Sequence, residues 1–185
     1  MTSKLNLISQ AYFQLGKKRL LTLDVNSDLD MGASDVYDLL IPSVISNFDF
    51  YFTRKYASLA KNAVAPDDLE YASSFALPND FISMLQVKGT LDYKIMGLDI
   101  WTNESELNID YVTSASESLF PPSFSLYIVY LLCEHLAYQI TNDINLVQLW
   151  TKKAMYQFGV VGTVMTGQET NKTIEYDSLI VAHNS

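Results

Sequence analysis

The sequence predicts an α+β fold: an antiparallel bundle of about four helices, with a small antiparallel β-sheet inserted between the helix pairs and an extended C-terminal arm. Three observations carry this expectation. Apolar residues recur at helical spacing in the first 48 residues and again from 123 to 166. Between them, over about residues 50–113, the period shortens and β-branched and aromatic residues dominate. The strand candidates in that middle region are too short and too closely spaced for parallel βαβ units, so they are expected to pair antiparallel.

The first helix is expected over about residues 4–16, with Leu5, Ile8, Tyr12 and Leu15 on one face. Ser3 is placed to cap its start and Gly16 to stop it. Lys17, Lys18 and Arg19 follow, where positive charge suits a helix C-terminus. The polar stretch Asp24 to Asp30 reads as a loop that caps a second helix over about 31–48, with Ala33, Val36, Tyr37, Leu40, Val44 and Phe48 as its stripe. Pro42 falls inside that stripe and predicts a kink or a break. A strand is expected from Phe50, since Phe50, Phe52, Arg54 and Tyr56 share one parity. A loop follows at 62–70, and then strands at Ile82–Lys88, Tyr93–Trp101 around a turn at Gly97, and Glu106–Thr113. After Pro121 and Pro122, a helix over about 123–141 is apolar around most of its circumference, which marks it as the central one. Asp143 can cap a last helix over about 144–166, whose final turns Gly159, Gly162 and Gly167 weaken. Residues 1–168 therefore read as one domain, and 169–185 as an arm with strand character where something pairs with it.

Composition limits the function. The 185 residues are 49% apolar, which is enough to bury a core, and 18% charged. The net charge of −9 is the opposite of what wrapping nucleic acid by phosphate neutralisation requires. Residues 61–120 hold most of the excess, with ten acidic positions against three basic. A solvated face explains such a segment, as does a passage or a surface that meets a basic partner. One cysteine forms no internal disulfide, and two histidines leave little for structural zinc. The opening Met-Thr-Ser-Lys carries no apolar signal segment, and Leu126–Cys133 is far short of the ~20 residues a membrane helix needs. Synthesis in the cytoplasm and no membrane partner are the expectations.

Local motifs for chemistry each meet a simpler explanation. Asp24, Asn26, Asp28 and Asp30 copy the first alternate positions of an EF-hand loop, and Asp35 stands at its twelfth. Leu29, however, occupies the position where that loop needs glycine, and the preceding Leu20–Leu23 looks extended where an incoming helix is required. A helix-capping acidic loop accounts for the same residues. Glu134-His135 has no second histidine one turn away, so it reads as a structural histidine that is buried or at an interface. Cys133 sits among apolar residues, where a thiol is inert. Asp67 and Asp68 lie beside Pro66 in a loop, where solvation explains them. Lys17–Arg19 is a weak nucleic-acid signal. Asn103 and Asn171 head sequons that mean little without a secretory route. No catalytic residue, metal ligand or cofactor site is expected, and the chain does not read as an enzyme. What remains is aromatic: 12 tyrosines and 9 phenylalanines exceed what a core of this size hides. Tyrosine suits protein–protein contacts, and equally a half-buried belt on a sheet.

The order of these features resembles a known family. Phe75-Ala76-Leu77-Pro78-Asn79-Asp80-Phe81-Ile82 is similar to the aromatic-x-Leu-Pro-x-Asp motif of the tail tubular protein A family of short-tailed bacteriophages, to which the P22-type tail accessory factor is related in fold. Leu15-Gly16 ends the first helix as in that family, and Phe50-Tyr51-Phe52 stands near its Trp-x-Phe, followed by Lys55–Ala60. Tyr93–Asn103 looks like its glycine-centred hairpin, Leu107–Val112 like its next strand, and Phe120-Pro121-Pro122-Ser123-Phe124 like the opening of its C-terminal helix pair. The similarity covers roughly residues 5–168 and departs from the pattern in two places: phenylalanine replaces the tryptophan, and the arm matches no motif.

The resemblance implies a structural virion protein, a head–tail connector. Such subunits form a homo-oligomeric, dodecameric ring that docks under the portal protein, extends the DNA channel and anchors the tail nozzle. DNA would pass through the lumen without sequence-specific binding, an acidic lumen repelling its phosphates. Such a protein resides in the neck or tail of the virion after assembly in the host cytoplasm. Ile174, Tyr176, Leu179 and Ile180 of the arm are the expected partner-binding residues, pairing with a neighbour's sheet or a portal groove. Another neck or tail part, such as a head-completion or tail-terminator protein, and a small envelope-directed hydrolase or sugar-binding tail module stay open as alternatives.

Overall fold

A computed structural model describes residues 2–89 and 92–166, with the backbone alone at Met165 and Thr166. Its elements run α1 (Lys4–Gln14), α2 (Asp28–Asn47), β1 (Arg54–Leu59), β2 (Ser73–Ala76), β3 (Phe81–Lys88), β4 (Tyr93–Met96), β5 (Asp99–Thr102), β6 (Leu107–Thr113), α3 (Pro122–Thr141) and α4 (Ile144–Thr166). The α+β class and the insertion of the β region between two helix pairs are as expected.

Local chemistry sets the helix ends. Ser3 Oγ accepts from the Asn6 N–H at 3.3 Å. Gly16, at φ +79°, turns the chain so that Lys17 N–H reaches the Tyr12 carbonyl and Gly16 N–H the Phe13 carbonyl. This six-to-one and five-to-two pair satisfies carbonyls left over at the end of α1. α2 begins at Asp28, three residues before the expected start. Ser27 Oγ caps the Asp30 N–H, and Asp28 and Asp30 suit the positive end of the helix dipole. Of the polar stretch expected as a loop, Asp28 to Asp30 thus form the first turn of α2, while Asp24 to Ser27 stay outside the helix. The helix also runs unbroken through Pro42, so of the kink or break expected there the break does not occur. Pro42 is on the exposed face, as is Asp38, whose carbonyl the proline ring cannot serve as a donor. Pro122 starts α3, where its missing N–H costs nothing, and Asn142 (φ 54°) ends it. Asp143 Oδ1 then accepts from the Asn145 N–H at 2.8 Å to open α4.

α3 is the central helix, in contact with α1, α2 and α4. Phe124, Ile128, Leu132, Cys133, Leu136 and Ala137 are fully buried on it. α1 and α2 run antiparallel, tied by Tyr12 to Asp30 at 3.0 Å and by Lys4 to Asp38 at 2.6 Å. α3 and α4 do the same through Thr151 to Glu134 at 2.9 Å and Gln157 to the Ser123 carbonyl at 3.0 Å.

The expected single sheet is two three-stranded antiparallel sheets, ordered β1-β6-β3 and β2-β5-β4. β2 was not expected, because Ser73-Ser74-Phe75-Ala76 holds no β-branched residue; its serines are buried by pairing with β5. The strand expected from Phe50 begins only at Arg54, after a 3-10 turn at Tyr51–Thr53 closed by the Phe50 carbonyl. Phe50 and Phe52 share parity because both rings pack on Phe124, at 4.9 and 5.0 Å between centroids. Facing side chains of the two sheets form a second core of Phe75, Val87, Ile100, Leu107, Ile109 and Tyr111, separate from the helical one.

Candidate interaction surface

The four arm residues singled out for partner binding, Ile174, Tyr176, Leu179 and Ile180, lie outside the described residues. Those inside resolve into structural roles and surfaces. Asp30, central to the calcium-like loop, is buried and occupied: Tyr12 Oη donates to one carboxylate oxygen and Asp24 N–H to the other, at 3.0 and 3.1 Å. Burial, with the adjoining Asp30, pushes the Tyr12 hydroxyl far above its ordinary range. Among the described residues no three His, Cys, Asp or Glu side chains stand close enough to hold a metal ion. Cys133 is fully buried beside the Ala11 carbonyl, and burial pushes its thiol up to about 12. Asp68 pairs with Lys94 at 3.6 Å, and the Arg19 guanidinium lies over the Phe13 ring at 4.9 Å. Asn103 holds the loop before β2 by accepting from Ala72 N–H and donating to the Glu70 carbonyl.

The Asp80 carboxylate is the busiest polar group of the β region. It accepts from Lys55 Nζ at 2.6 Å, Thr113 Oγ1 at 2.8 Å and Tyr111 Oη at 2.9 Å. Lys55, then Thr113 and Tyr111, hold it down at about 2, against an ordinary 3.8. Burial, with this neighbour, lifts Tyr111 to about 12. Asp80 stands in the turn closed by Phe81 N–H on the Pro78 carbonyl, so the Leu-Pro-x-Asp stretch joins all three strands of the first sheet. Its role is structural.

The acidic segment does not form one face. Asp80 and Asp110 are paired with Lys55 and Lys88 on the first sheet, and Glu117 accepts from Tyr37 in the bundle at 2.9 Å. Asp68, also paired with Lys94, gathers with Glu70 and Asp92 around Tyr71, whose hydroxyl reaches Asp92 at 3.4 Å; its burial and those charges raise its pKa.

The apolar surface is concentrated on the helices. α2 and α3 leave a groove of about 410 Å³ whose walls include Val36, Leu39, Val44, Phe48, Leu131 and His135. Leu39 is 77% exposed there. His135 is an exposed wall residue, so the burial allowed for it is not found, while a place at an interface remains compatible. Tyr127 and Leu131 also border a second hollow of about 250 Å³ between α3 and α4, with Met155 71% exposed beside it. Phe158 joins the two, its ring 4.6 Å from Phe48 and 5.4 Å from Tyr127. Sequence periodicity places Phe48, Val36 and Val44 on the inner stripe of α2 but says nothing of Leu39. It is legible only once α2 is seen to leave α3 partly uncovered. No helix of the described residues is long and apolar enough to cross a membrane.

No family model matches this chain, and no curated protein matches it.

Proposed function

We propose that the chain is a structural subunit of a virion neck: a head–tail connector that forms a ring under the portal, extends the DNA channel and receives the tail nozzle. The observation that carries the assembly part is the apolar face spanning α2, α3 and α4. Contiguous exposed apolar surface of this kind is costly in an isolated chain and marks a contact. Its grooved, one-sided form fits a heterologous contact between neighbours, the type that closes into rings. The connector part rests on the resemblance in motif order, in which the Leu-Pro-x-Asp turn, the hairpin at Gly97 and the Pro-Pro opening of α3 fall in sequence. The carboxylates around Tyr71 are the part of the acidic segment suited to a DNA-repelling lumen.

The test is solution mass by light scattering, alone and with the portal protein of the same genome. The wild-type chain is expected to join the portal ring in about a one-to-one subunit ratio. Leu39→Glu should keep its thermal unfolding midpoint, because the side chain is exposed, and should lose lateral assembly on the portal. A wild-type chain that ignores the portal would overturn the connector reading. Wild-type assembly undiminished in Leu39→Glu would remove this face from it.

A further inference from the structure

The outer face of the second sheet carries a cleft unrelated to the apolar helical face. Register places Ser74 of β2, Trp101 of β5 and Lys94 of β4 directly across from one another. Lys94 flanks the indole on one side, its ammonium 5.8 Å from the ring centre. On the other side the chain adds an edge: Lys61 bridges Phe75, and Asn62 N–H donates to the Ser74 carbonyl at 2.8 Å. That edge and the following loop border an open cleft of about 420 Å³ with Trp101 on its wall, together with Asn62, Asp67, Ser74 and Asp99.

The polar groups are held in place by each other and keep spare capacity. Asn62 Nδ2 donates to Ser74 Oγ at 2.7 Å and to Asp99 Oδ1 at 3.0 Å, so both amide protons are used and its Oδ1 remains an acceptor. Ser74 is 4% exposed, and the proton of its hydroxyl has no acceptor among the described residues. The Trp101 indole N–H likewise has none among them. Asp99 Oδ2 and the Asp67 carboxylate are further acceptors. A half-buried indole with its own unused N–H thus borders one more unused donor and three acceptor groups.

This mixture selects a ligand class. A guanidinium or ammonium could answer the carboxylates but not the Ser74 and Trp101 donors, since neither cation has an acceptor. Vicinal hydroxyls answer both, each donating to a carboxylate while accepting from a donor. A pyranose also offers an apolar C–H face to the indole, and burying that face supplies the non-directional part of binding. We propose that this cleft binds a neutral saccharide, with Trp101 as the platform, Asp67, Asp99 and Asn62 as acceptors, and Ser74 as the buried donor. The proposal does not depend on the connector reading.

The test follows the Trp101 indole N–H resonance in ¹H–¹⁵N spectra of the full chain. The assignment comes from Trp101→Phe; the other indole, Trp150, is buried in the helical core and serves as internal reference. Glucose, galactose, N-acetylglucosamine and their β-linked disaccharides are titrated to about 50 mM, the range expected of a shallow one-platform site. The expected result is a saturable shift of the Trp101 resonance with Trp150 unmoved. Asp67→Ala, a loop change that removes no hydrogen bond seen in the structure, should weaken that binding about tenfold, as expected for loss of a charge-assisted hydrogen bond. No Trp101 shift with any of these sugars would overturn the proposal. So would a shift produced by arginine amide in their place, which would make the cleft a site for a basic side chain.

Discussion

Asp80 illustrates how one side chain can organise a sheet whose strands are not consecutive. Lys55 comes from β1, Tyr111 and Thr113 from β6, and Asp80 itself leads into β3. Because its folded pKa is about 2 against 3.8, its contribution is fully present above about pH 4 and is lost as pH falls through 2. The side chain is 35% exposed, so solvent screening discounts the effect to about 1 kcal/mol at neutral pH. Asp80→Ala should therefore lower urea-unfolding stability by about that amount at pH 7, and its gap from wild type should shrink near pH 2. An equal gap at both pH values would mean that the charge is not the source. The motif that contains Asp80 stood out in the sequence, but the roles of Lys55, Tyr111 and Thr113 were not visible. Each lies 25 or more residues away along the chain.

At the scale of elements, local rules succeeded where the stabilising partner is a neighbour in sequence. Gly16 is the clearest instance, since the end of α1 needs a residue at φ +79°. Nothing lies within 4 Å of an added Cβ, so Gly16→Ala tests backbone strain alone. It should cost about 1 kcal/mol, read as a lower thermal midpoint. Local rules failed where a distant partner decides. Ser73–Ala76 has poor strand composition and becomes β2 only through β5. Phe50–Thr53 has good strand parity and instead turns, because its rings are held by Phe124 and Phe120 of the α3 entry. Pro42 is tolerated on the exposed face of α2, where both it and Asp38 one turn earlier are open to solvent.

The whole molecule has two cores, a helical one and one between the sheets, joined where α2 meets β3. Phe124 is the hub of the first. Its ring lies 4.9 Å from Phe50 and Phe120 and 5.0 Å from Phe52, so it also anchors the chain entering β1 and the chain leaving the β region. Phe124→Ala should cost about 4 kcal/mol in urea unfolding, within the range for truncating a buried aromatic. A loss below about 1 kcal/mol would mean that the neighbouring rings collapse into the space. The aromatic abundance seen in the sequence divides accordingly. Most of the phenylalanines cluster at this hub. Tyr12, Tyr37, Tyr71 and Tyr111 reach carboxylates with their hydroxyls, which accounts for these four buried tyrosines without a partner.

The sequence by itself determined the α+β class, the placement of four helices around a β region, and the ends marked by Ser3, Gly16, Pro122 and Asp143. Periodicity, caps and prolines act within one or two turns of chain, so they can be read without coordinates. The tertiary structure alone decided the order β1-β6-β3 and β2-β5-β4, the division into two sheets, the groove left open beside Leu39 and the cleft beside Trp101. Each of these depends on pairings between residues that are distant in sequence. Such pairings arise from which surfaces bury one another, and no local pattern encodes that.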